Sequence, residues 1–162
     1  MPLLSTPKAL ILVGEINDEI GAALLASVYS NRPPKHLIIN SGGGDASLAH
    51  ACACALEALP NLHTQAAGFC ASSAIPLLLS GRKRTALPHT NFMTHALSGG
   101  FNSGSPRECR SYSKLFLRDE RVYAEFLARR SGYKTTDWWV KWGQQERWFA
   151  NDAALEMGLL TT

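Results

Sequence analysis

The segment Gly68-Phe69-Cys70-Ala71-Ser72-Ser73-Ala74-Ile75 places a serine at the point where a predicted strand gives way to an apolar helix. Small side chains around Ser72 allow a sharp change of direction between the two elements. Ser72 would then lie at a helix N-terminus, where unpaired backbone N–H groups and the helix dipole favour negative charge. Two interpretations stay open at this point: a serine that only caps the helix, or an activated nucleophile.

A run of glycines precedes this segment, at Ser41-Gly42-Gly43-Gly44, directly after another predicted strand. Glycine lets backbone N–H groups face a ligand without interference from side chains. A phosphate-binding loop is one alternative, but the sequence lacks the Gly-Lys-Ser/Thr ending, and Asp45 would repel a phosphate. An oxyanion hole needs only one or two N–H donors and fits the run better.

A third segment, Asn91-Phe92-Met93-Thr94-His95, is typical of a short strand that ends in a histidine. Such a histidine is commonly structural or solvent-facing. A serine hydroxyl is a weak nucleophile, however, and needs a neighbouring base. Of the five histidines, His95 is the one whose context fits that role.

Strands alternate with helices along the chain, which predicts a single α/β layered domain. The helix that begins at Pro106 is longer than a domain of this size needs, so we expect it to project and to pack against another subunit. Predicted strands cover residues 9–13, 36–39, 62–67, 85–87 and 92–94, and predicted helices cover about 18–28, 45–59, 73–79, 106–131, 136–142 and 152–157.

Composition limits the classes of function. A net charge of +3 over 162 residues, without a basic block longer than Arg82-Lys83-Arg84, predicts no nucleic-acid partner. The four cysteines form no C-x-x-C pair and show no zinc-ligand spacing, which predicts reduced, mostly buried thiols, no metal and no cofactor. No segment resembles a signal peptide or approaches the ~20 apolar residues of a membrane span, so we expect a cytoplasmic protein without a membrane partner.

The order of these segments resembles the proteolytic subunit of the Clp protease, from about Ala9 to Leu160. The matching motifs are Val13-Gly14-Glu15-Ile16-Asn17-Asp18, Ile39-Asn40-Ser41-Gly42-Gly43-Gly44, Gly68-Phe69-Cys70-Ala71-Ser72, Leu87-Pro88, Met93-Thr94-His95 and Glu156-Met157-Gly158-Leu159. The resemblance implies an α/β fold of the Clp protease and crotonase type, a superhelix of repeated β-β-α units with a long projecting handle helix. The single domain, residues 1–162, would consist of a head, about 9–97 and 136–160, and a handle, about 98–135.

The resemblance also implies a serine peptidase mechanism, with Ser72 as the nucleophile and His95 as the general base and acid. The backbone N–H groups of Gly44 and Ser73 would form the oxyanion hole. An extended peptide would lie between residues 44–47 and 96–100 and add a strand by backbone hydrogen bonds. The residues expected to contact this substrate are Gly43, Asp45, Ala46, Ala96, Leu97, Ser98 and Gly99.

The sequence departs from the family pattern at several positions. Glu146 stands where the family has the aspartate of its triad, and a glutamate can also orient a histidine. A surface glutamate paired with Arg147 is the alternative. Gln145 stands where the family usually has an arginine that acts between rings, which bears on the double ring but not on ring formation. Asp45 either caps the following helix or favours basic substrates.

The resemblance implies as partners a peptide or unfolded-protein substrate and further copies of the chain, in a heptameric ring that can stack into a double ring. Only eight residues precede Ala9, where the family carries part of its dock for the unfoldase, so a Clp-type ATPase partner is left open. Two other functions stay under consideration: a non-catalytic subunit of such a ring, and a crotonase-type acyl-CoA enzyme. The four tryptophans are expected to pack between the handle base and the body, with a partner-docking patch as the alternative.

Overall fold

The computed structural model describes residues 3–5, 9–99 and 104–161. Its strands are β1 Leu3–Ser5, β2 Leu10–Val13, β3 His36–Ser41, β4 His63–Ala71, β5 Lys83–Ala86, β6 Asn91–Thr94 and β7 Arg147–Phe149. Its helices are α1 Asp18–Val28, α2 Ala46–Glu57, α3 Ala74–Leu79, α4 Pro106–Ser131, α5 Thr136–Gly143 and α6 Asn151–Glu156. The predicted mixed α/β fold with one long helix is confirmed.

One sheet runs through the molecule in the order β1-β2-β3-β4-β6-β7, and β5 pairs with β4 beside β6. The pairs from β2 to β6 are parallel, because a helix carries the chain back between successive strands. The outer strands β1 and β7 are antiparallel to their neighbours. The parallel centre therefore brings the carboxyl ends of β3, β4 and β6 to the same edge.

On one side, strand β4 pairs with two different strands along its length. Residues 63–66 pair with β5, and residues 69–71 pair with β6. Gly68 lies between the two halves with φ 86°, a conformation that a side chain would make unfavourable. The turn predicted at residues 68–72 is thus a bend within a strand that continues to Ala71. This bend directs the end of β4 towards the end of β6.

The core lies between the sheet and helices α1, α2 and α3. Its largest fully buried side chains include Leu12, Leu24, Leu37, Ile39 and Leu56, which lie on both the strands and the helices. Burying a side chain of this size contributes roughly 1.5–3 kcal/mol. No disulfide or metal is needed to account for a core of this kind in a domain of this length.

Polar side chains fix where the first two helices begin. Asn17 accepts a hydrogen bond from the Ile20 N–H at 3.1 Å, and Asp45 accepts one from the Leu48 N–H at 2.8 Å. Of the two interpretations of Asp45, the helix cap is therefore observed. It also fixes the chain direction directly after the glycine run.

Helix α4 begins with a complete capping box, in which Ser105 and Glu108 satisfy each other's backbone N–H groups. The helix ends at Ser131, as predicted, and Gly132 caps it in the left-handed conformation. Residues 106–115 are all exposed, whereas Ala124, Phe126 and Leu127 are buried against the body. The first half of the helix therefore lies outside the core, as expected of a projecting element.

Two arginines join distant parts of the chain at the end of α3. Arg130 donates to the carbonyls of Leu79, Ser80 and Gly81 at 2.8–3.3 Å. Arg84 is half-buried and donates to the carbonyls of Gly81, Gly158 and Leu159 at 3.1–3.2 Å. The guanidinium of Arg84 therefore has a structural role, because it satisfies carbonyls that end two helices.

The strands predicted from the sequence did not include the two short outer strands, β1 and β7. Trp138, Trp139 and Trp142 pack together at the base of α4 as expected, but Trp148 is 53% exposed. Among the cysteines, Cys52 and Cys70 are buried and Cys54 and Cys109 are exposed, so burial was predicted correctly for two of the four. None of the described helices has the length and apolar character needed to cross a membrane.

We expect the substitution Arg130→Met to lower the free energy of unfolding by about 2–3 kcal/mol, because it leaves the partly buried carbonyls of Leu79 and Ser80 without their charged donor and the Gly81 carbonyl with Arg84 alone. The neighbouring Arg129→Met is the matched control. Arg129 is exposed and pairs with Glu57, so its loss should cost less than about 1 kcal/mol. Urea denaturation followed by circular dichroism measures both values, and equal losses would contradict this account of Arg130.

Candidate active site

The hydroxyl of Ser72 and the imidazole of His95 meet at the shared edge of the sheet. Ser72 Oγ lies 2.7 Å from His95 Nε2, within hydrogen-bond distance. The pairing of Ala71 with Met93 explains this proximity, since Ser72 follows β4 directly and His95 follows β6 directly. The Ser72 N–H also donates to the Met93 carbonyl at 2.8 Å, which ties the two strand ends together.

The backbone of Ser72 is in the left-handed region, with φ 52°. A non-glycine residue in that region is uncommon and costs roughly 1 kcal/mol or more, so the surrounding contacts must hold it there. Strain of this kind occurs preferentially at functional sites. Here it turns the side chain out of the strand and towards His95.

The glycine run lies directly against the turn at Ser72. A Cβ atom on Gly43 would come within 2.8 Å of the Ser72 Cβ, and one on Gly44, whose φ is 144°, would overlap the Ile16 carbonyl. Hydrogen bonds of 2.8 Å on either side of Gly44, from Ile16 N–H to Gly43 O and from Asp45 N–H to Ile16 O, fix the run in place. Only glycine permits this approach.

Two backbone N–H groups are available beside the hydroxyl. Within the described residues, neither the Gly44 N–H nor the Ser73 N–H donates to a protein acceptor. The two residues are joined by a hydrogen bond of 3.1 Å from Ser73 Oγ to the Gly44 carbonyl. Unpaired, fixed amide donors next to a hydroxyl and an imidazole form an arrangement that can stabilise a developing oxyanion.

A cavity of about 650 Å³ opens beside Ser72 and His95, between the start of α2 and one face of α4. Its wall is largely apolar and aromatic, from Leu97, Leu115 and Phe116. Asp119 also lines it and forms an ion pair of 3.0 Å with Arg118. A cavity of this size and character can accept an extended segment or a large side chain.

His50, on α2, also lines this cavity. Its ring packs edge-on against Phe126 at a centroid distance of 5.4 Å. Burial lowers the pKa of His50 below its usual range, although Asp119 acts in the opposite direction. The imidazole therefore favours its neutral form and contributes bulk rather than charge to the wall.

Two contacts that the sequence did not indicate support the site. The indole N–H of Trp142 donates to Thr94 Oγ1 at 2.8 Å and holds the end of β6 just before His95. The hydroxyl of Tyr123, on α4, donates to the Ser72 carbonyl at 2.8 Å. In the sequence Tyr123 only continues the helical period of apolar residues, so no signal distinguished it from an ordinary core residue.

The predicted third member of the triad lies elsewhere. Glu146 is exposed, and its Oε1 accepts a hydrogen bond of 2.8 Å from the indole of Trp148. Within the described residues no acidic side chain hydrogen-bonds to His95. The structure thus brings Ser72 and His95 together without Glu146, and a role for Glu146 in orienting His95 stays a prediction. The expected alternative pairing with Arg147 is not observed either, since Arg147 bonds to Gln145 at 3.0 Å.

The other predicted site residues gather around Ser72 and His95. Gly43 borders Ser72, Ala96 lines a narrow crevice beside His95, and Gly99 lies against the ring of Phe116. Gly100, the predicted end of the substrate groove, lies outside the described residues. The predicted residues that line the cavity itself are Gly44, Asp45, Ala46, Leu97 and Ser98.

The left-handed backbone at Ser72 predicts that glycine is more stable than alanine at this position, the reverse of the usual order. We expect Ser72→Gly to be about 0.5–1 kcal/mol more stable than Ser72→Ala, because only alanine keeps the steric conflict of a positive φ. At Ser73, where φ is −65°, alanine should be the more stable of the two. Thermal unfolding of the four variants checks this, and the same order at both positions would contradict it.

Known proteins resemble this chain over nearly its whole length. The sequence profile described as Clp protease matches residues 3–162. The ATP-dependent Clp protease proteolytic subunit 2 of Thermobifida fusca is 30% identical over 161 residues, covering 94% of this chain and 78% of the relative.

Two further relatives carry the name ATP-dependent Clp protease proteolytic subunit 1. The one from Corynebacterium jeikeium is 30% identical, with 94% of this chain and 85% of the relative covered. The one from Streptomyces avermitilis is 31% identical, with 94% and 74% covered. These matches confirm the resemblance that the sequence motifs indicated. The chain belongs to the Clp protease family.

Proposed function

We propose that this chain is a serine-type endopeptidase that hydrolyses peptide bonds of short or unfolded polypeptides through an acyl-enzyme. The observation that carries the proposal is the 2.7 Å contact between Ser72 Oγ and His95 Nε2 beside the unpaired N–H groups of Gly44 and Ser73. Membership of the Clp protease family supports peptide hydrolysis as the reaction. Free cysteines support action in the reducing cytoplasm.

In the first half of the reaction, Ser72 Oγ attacks the carbonyl carbon of the scissile bond while His95 Nε2 takes the hydroxyl proton. The carbonyl oxygen becomes an oxyanion that accepts hydrogen bonds from Gly44 and Ser73 N–H. When the C–N bond breaks, His95 gives its proton to the leaving amine, and the acyl group stays on Ser72. In the second half, His95 takes a proton from a water molecule, and the water oxygen attacks the acyl carbon. The ester bond to Ser72 Oγ then breaks, His95 returns the proton to Ser72, and the peptide leaves with a new carboxyl group.

The substrate would lie extended between residues 44–47 and 96–99, with backbone hydrogen bonds that add it to the strand edge. One of its side chains would enter the cavity beside Ser72, whose wall of Leu97, Leu115 and Phe116 favours apolar groups. Asp45 lines the same cavity, but its carboxylate already caps α2. We therefore assign to Asp45 a structural role in holding the glycine run rather than a preference for basic substrates.

We propose that the working form is a ring of identical chains, stacked into a double ring through the outer part of α4. The support is the exposed apolar surface of that helix, where Tyr112, Leu115 and Leu117 are 47%, 41% and 67% exposed. Tyr112 and Leu115, three residues apart, share a face that also lines the cavity, whereas Leu117 lies on another face of the helix. Exposed apolar side chains of this kind on a projecting helix indicate an interface. The heptameric number and the use of a Clp-type ATPase rest on the family resemblance alone.

A second candidate is a non-catalytic subunit of the same ring. The observation that favours it is the absence, within the described residues, of an acidic partner for His95. Among the residues that the structure describes, no contact favours the crotonase-type acyl-CoA enzyme, whose sites often use carboxylates rather than an aligned serine and histidine. The contact between Ser72 and His95 favours the peptidase over both.

The peptidase proposal predicts that a fluorophosphonate probe labels the assembled protein and that Ser72→Ala abolishes both the labelling and the cleavage of fluorogenic peptides. The substitution removes the attacking oxygen and little else. Ser113→Ala, on the exposed half of α4, is the control and should keep both activities. Well-folded oligomer that neither reacts with the probe nor cleaves any peptide would reject the proposal in favour of the non-catalytic subunit.

The position of Glu146 predicts a small effect of Glu146→Gln on kcat/KM, less than about ten-fold, because its carboxylate bonds to Trp148 rather than to His95. Glu156→Gln, an exposed change at the end of α6, is the matched control. Steady-state cleavage of one fluorogenic peptide measures both variants. A loss of about 10⁴-fold for Glu146→Gln alone would instead show that the carboxylate leaves Trp148 and orients His95 in the working enzyme.

A further inference from the structure

Tyr123 makes an unusual contact for a residue of the long helix. Its hydroxyl donates a hydrogen bond of 2.8 Å to the backbone carbonyl of Ser72, across 51 positions of sequence. The side chain also lines the cavity beside Ser72 and His95. A tyrosine in a core position usually contributes its ring, but here its polar atom reaches the backbone of the nucleophile itself.

The geometry of the peptide bond gives this contact a mechanistic consequence. The Ser72 carbonyl and the Ser73 N–H belong to one planar trans peptide, so they point in opposite directions. A donor that fixes the direction of the carbonyl therefore fixes the direction of the N–H. That N–H is one of the two unpaired amides proposed to bind the oxyanion.

The same hydrogen bond polarises the peptide. A donor on the carbonyl oxygen draws electron density from the nitrogen and makes the N–H a stronger donor, a cooperative effect of hydrogen-bond chains. Burial raises the pKa of Tyr123 well above its usual range. The hydroxyl thus keeps its proton at every pH at which a peptidase of this kind would work.

The strained backbone of Ser72 needs external support. Among the described residues, three hydrogen bonds hold its backbone: the N–H donates to Met93, and the carbonyl accepts from the Ile75 N–H at 3.0 Å and from Tyr123. The first two belong to the strand pair and to the turn. Tyr123 supplies the third from α4, and this additional hydrogen bond helps to hold Ser72 at its unfavourable φ of 52°.

We infer that Tyr123 is a positioning residue for catalysis, which orients and polarises the Ser72–Ser73 peptide so that its N–H faces the developing oxyanion. This inference rests on the proposed peptidase function. It assigns to the hydroxyl of Tyr123 a part in the transition state that its ring alone does not supply. Substrate binding in the ground state does not depend on it.

The test compares Tyr123→Phe with Tyr133→Phe. Phenylalanine keeps the ring and removes only the hydroxyl. Tyr133, at the base of the same helix, packs on Trp138 and Trp139, and its hydroxyl makes no hydrogen bond within the described residues, so it is a matched control. Both variants are assayed as the assembled full chain, by the rate constant for fluorophosphonate labelling of Ser72 and by kcat and KM for a fluorogenic peptide.

For Tyr123→Phe we expect kcat and the labelling rate constant to fall together by about ten-fold, with KM within two-fold of the unmodified protein. Tyr133→Phe should stay within two-fold on all three. Tyr123→Met, which also lacks the hydroxyl, should show the same fall in kcat and in the labelling rate constant.

Three outcomes would overturn the inference. Unchanged kcat and labelling in a folded Tyr123→Phe variant would show that the hydroxyl has no part in the reaction. A rise in KM with unchanged kcat would show a role in substrate binding instead. If the unmodified protein itself is neither labelled nor active, the proposed peptidase function fails and the inference falls with it, whereas normal activity of the unmodified protein isolates a failure of Tyr123.

Discussion

The parallel pairing of β4 with β6 is the interaction on which the site depends. Residues 69–71 form the ladder with residues 91–93, so the two strands end side by side and project Ser72 and His95 from the same edge. The bend at Gly68 makes this possible, because it releases β4 from β5 and turns it towards β6. Since one strand pair sets the distance between hydroxyl and imidazole, loops contribute little to it.

Several elements hold the local backbone of Ser72 in an unfavourable conformation. The glycine run approaches closely enough to exclude any side chain at Gly43 or Gly44. Helix α4 contributes a hydrogen bond from Tyr123, and α5 supports the neighbouring strand end through Trp142. The site is therefore preorganised by contacts made before any substrate arrives, which is the condition under which amide dipoles lower a barrier most.

Much of the fold could be predicted because its signals are local. Helix caps at Asn17 and Asp45 and the left-handed end at Gly132 are properties of short segments, and each of these helices begins or ends where the sequence indicates. The outer strand β7 escaped prediction because three residues, 147–149, carry too little alternation to be distinguished from a loop.

The sequence predicted the location of a site residue only where that residue directly follows a strand. Ser72 and His95 meet because of where β4 and β6 end, and motif order indicates that. The place of Glu146 depends instead on a choice between side-chain partners, and the indole of Trp148 two residues away is the partner in this structure. The contact of Tyr123 links residues 51 positions apart through one hydroxyl, so no periodicity could reveal it.

The conformation of Ser72 also bears on how members of such a family could diverge. A β-branched residue is strongly disfavoured at a positive φ, so threonine could not readily replace serine as the attacking group. Glycine or asparagine would fit the same backbone with less strain than serine. Replacement of the proposed nucleophile by glycine or asparagine would therefore relieve backbone strain, whereas replacement by threonine, the other hydroxyl side chain, would increase it.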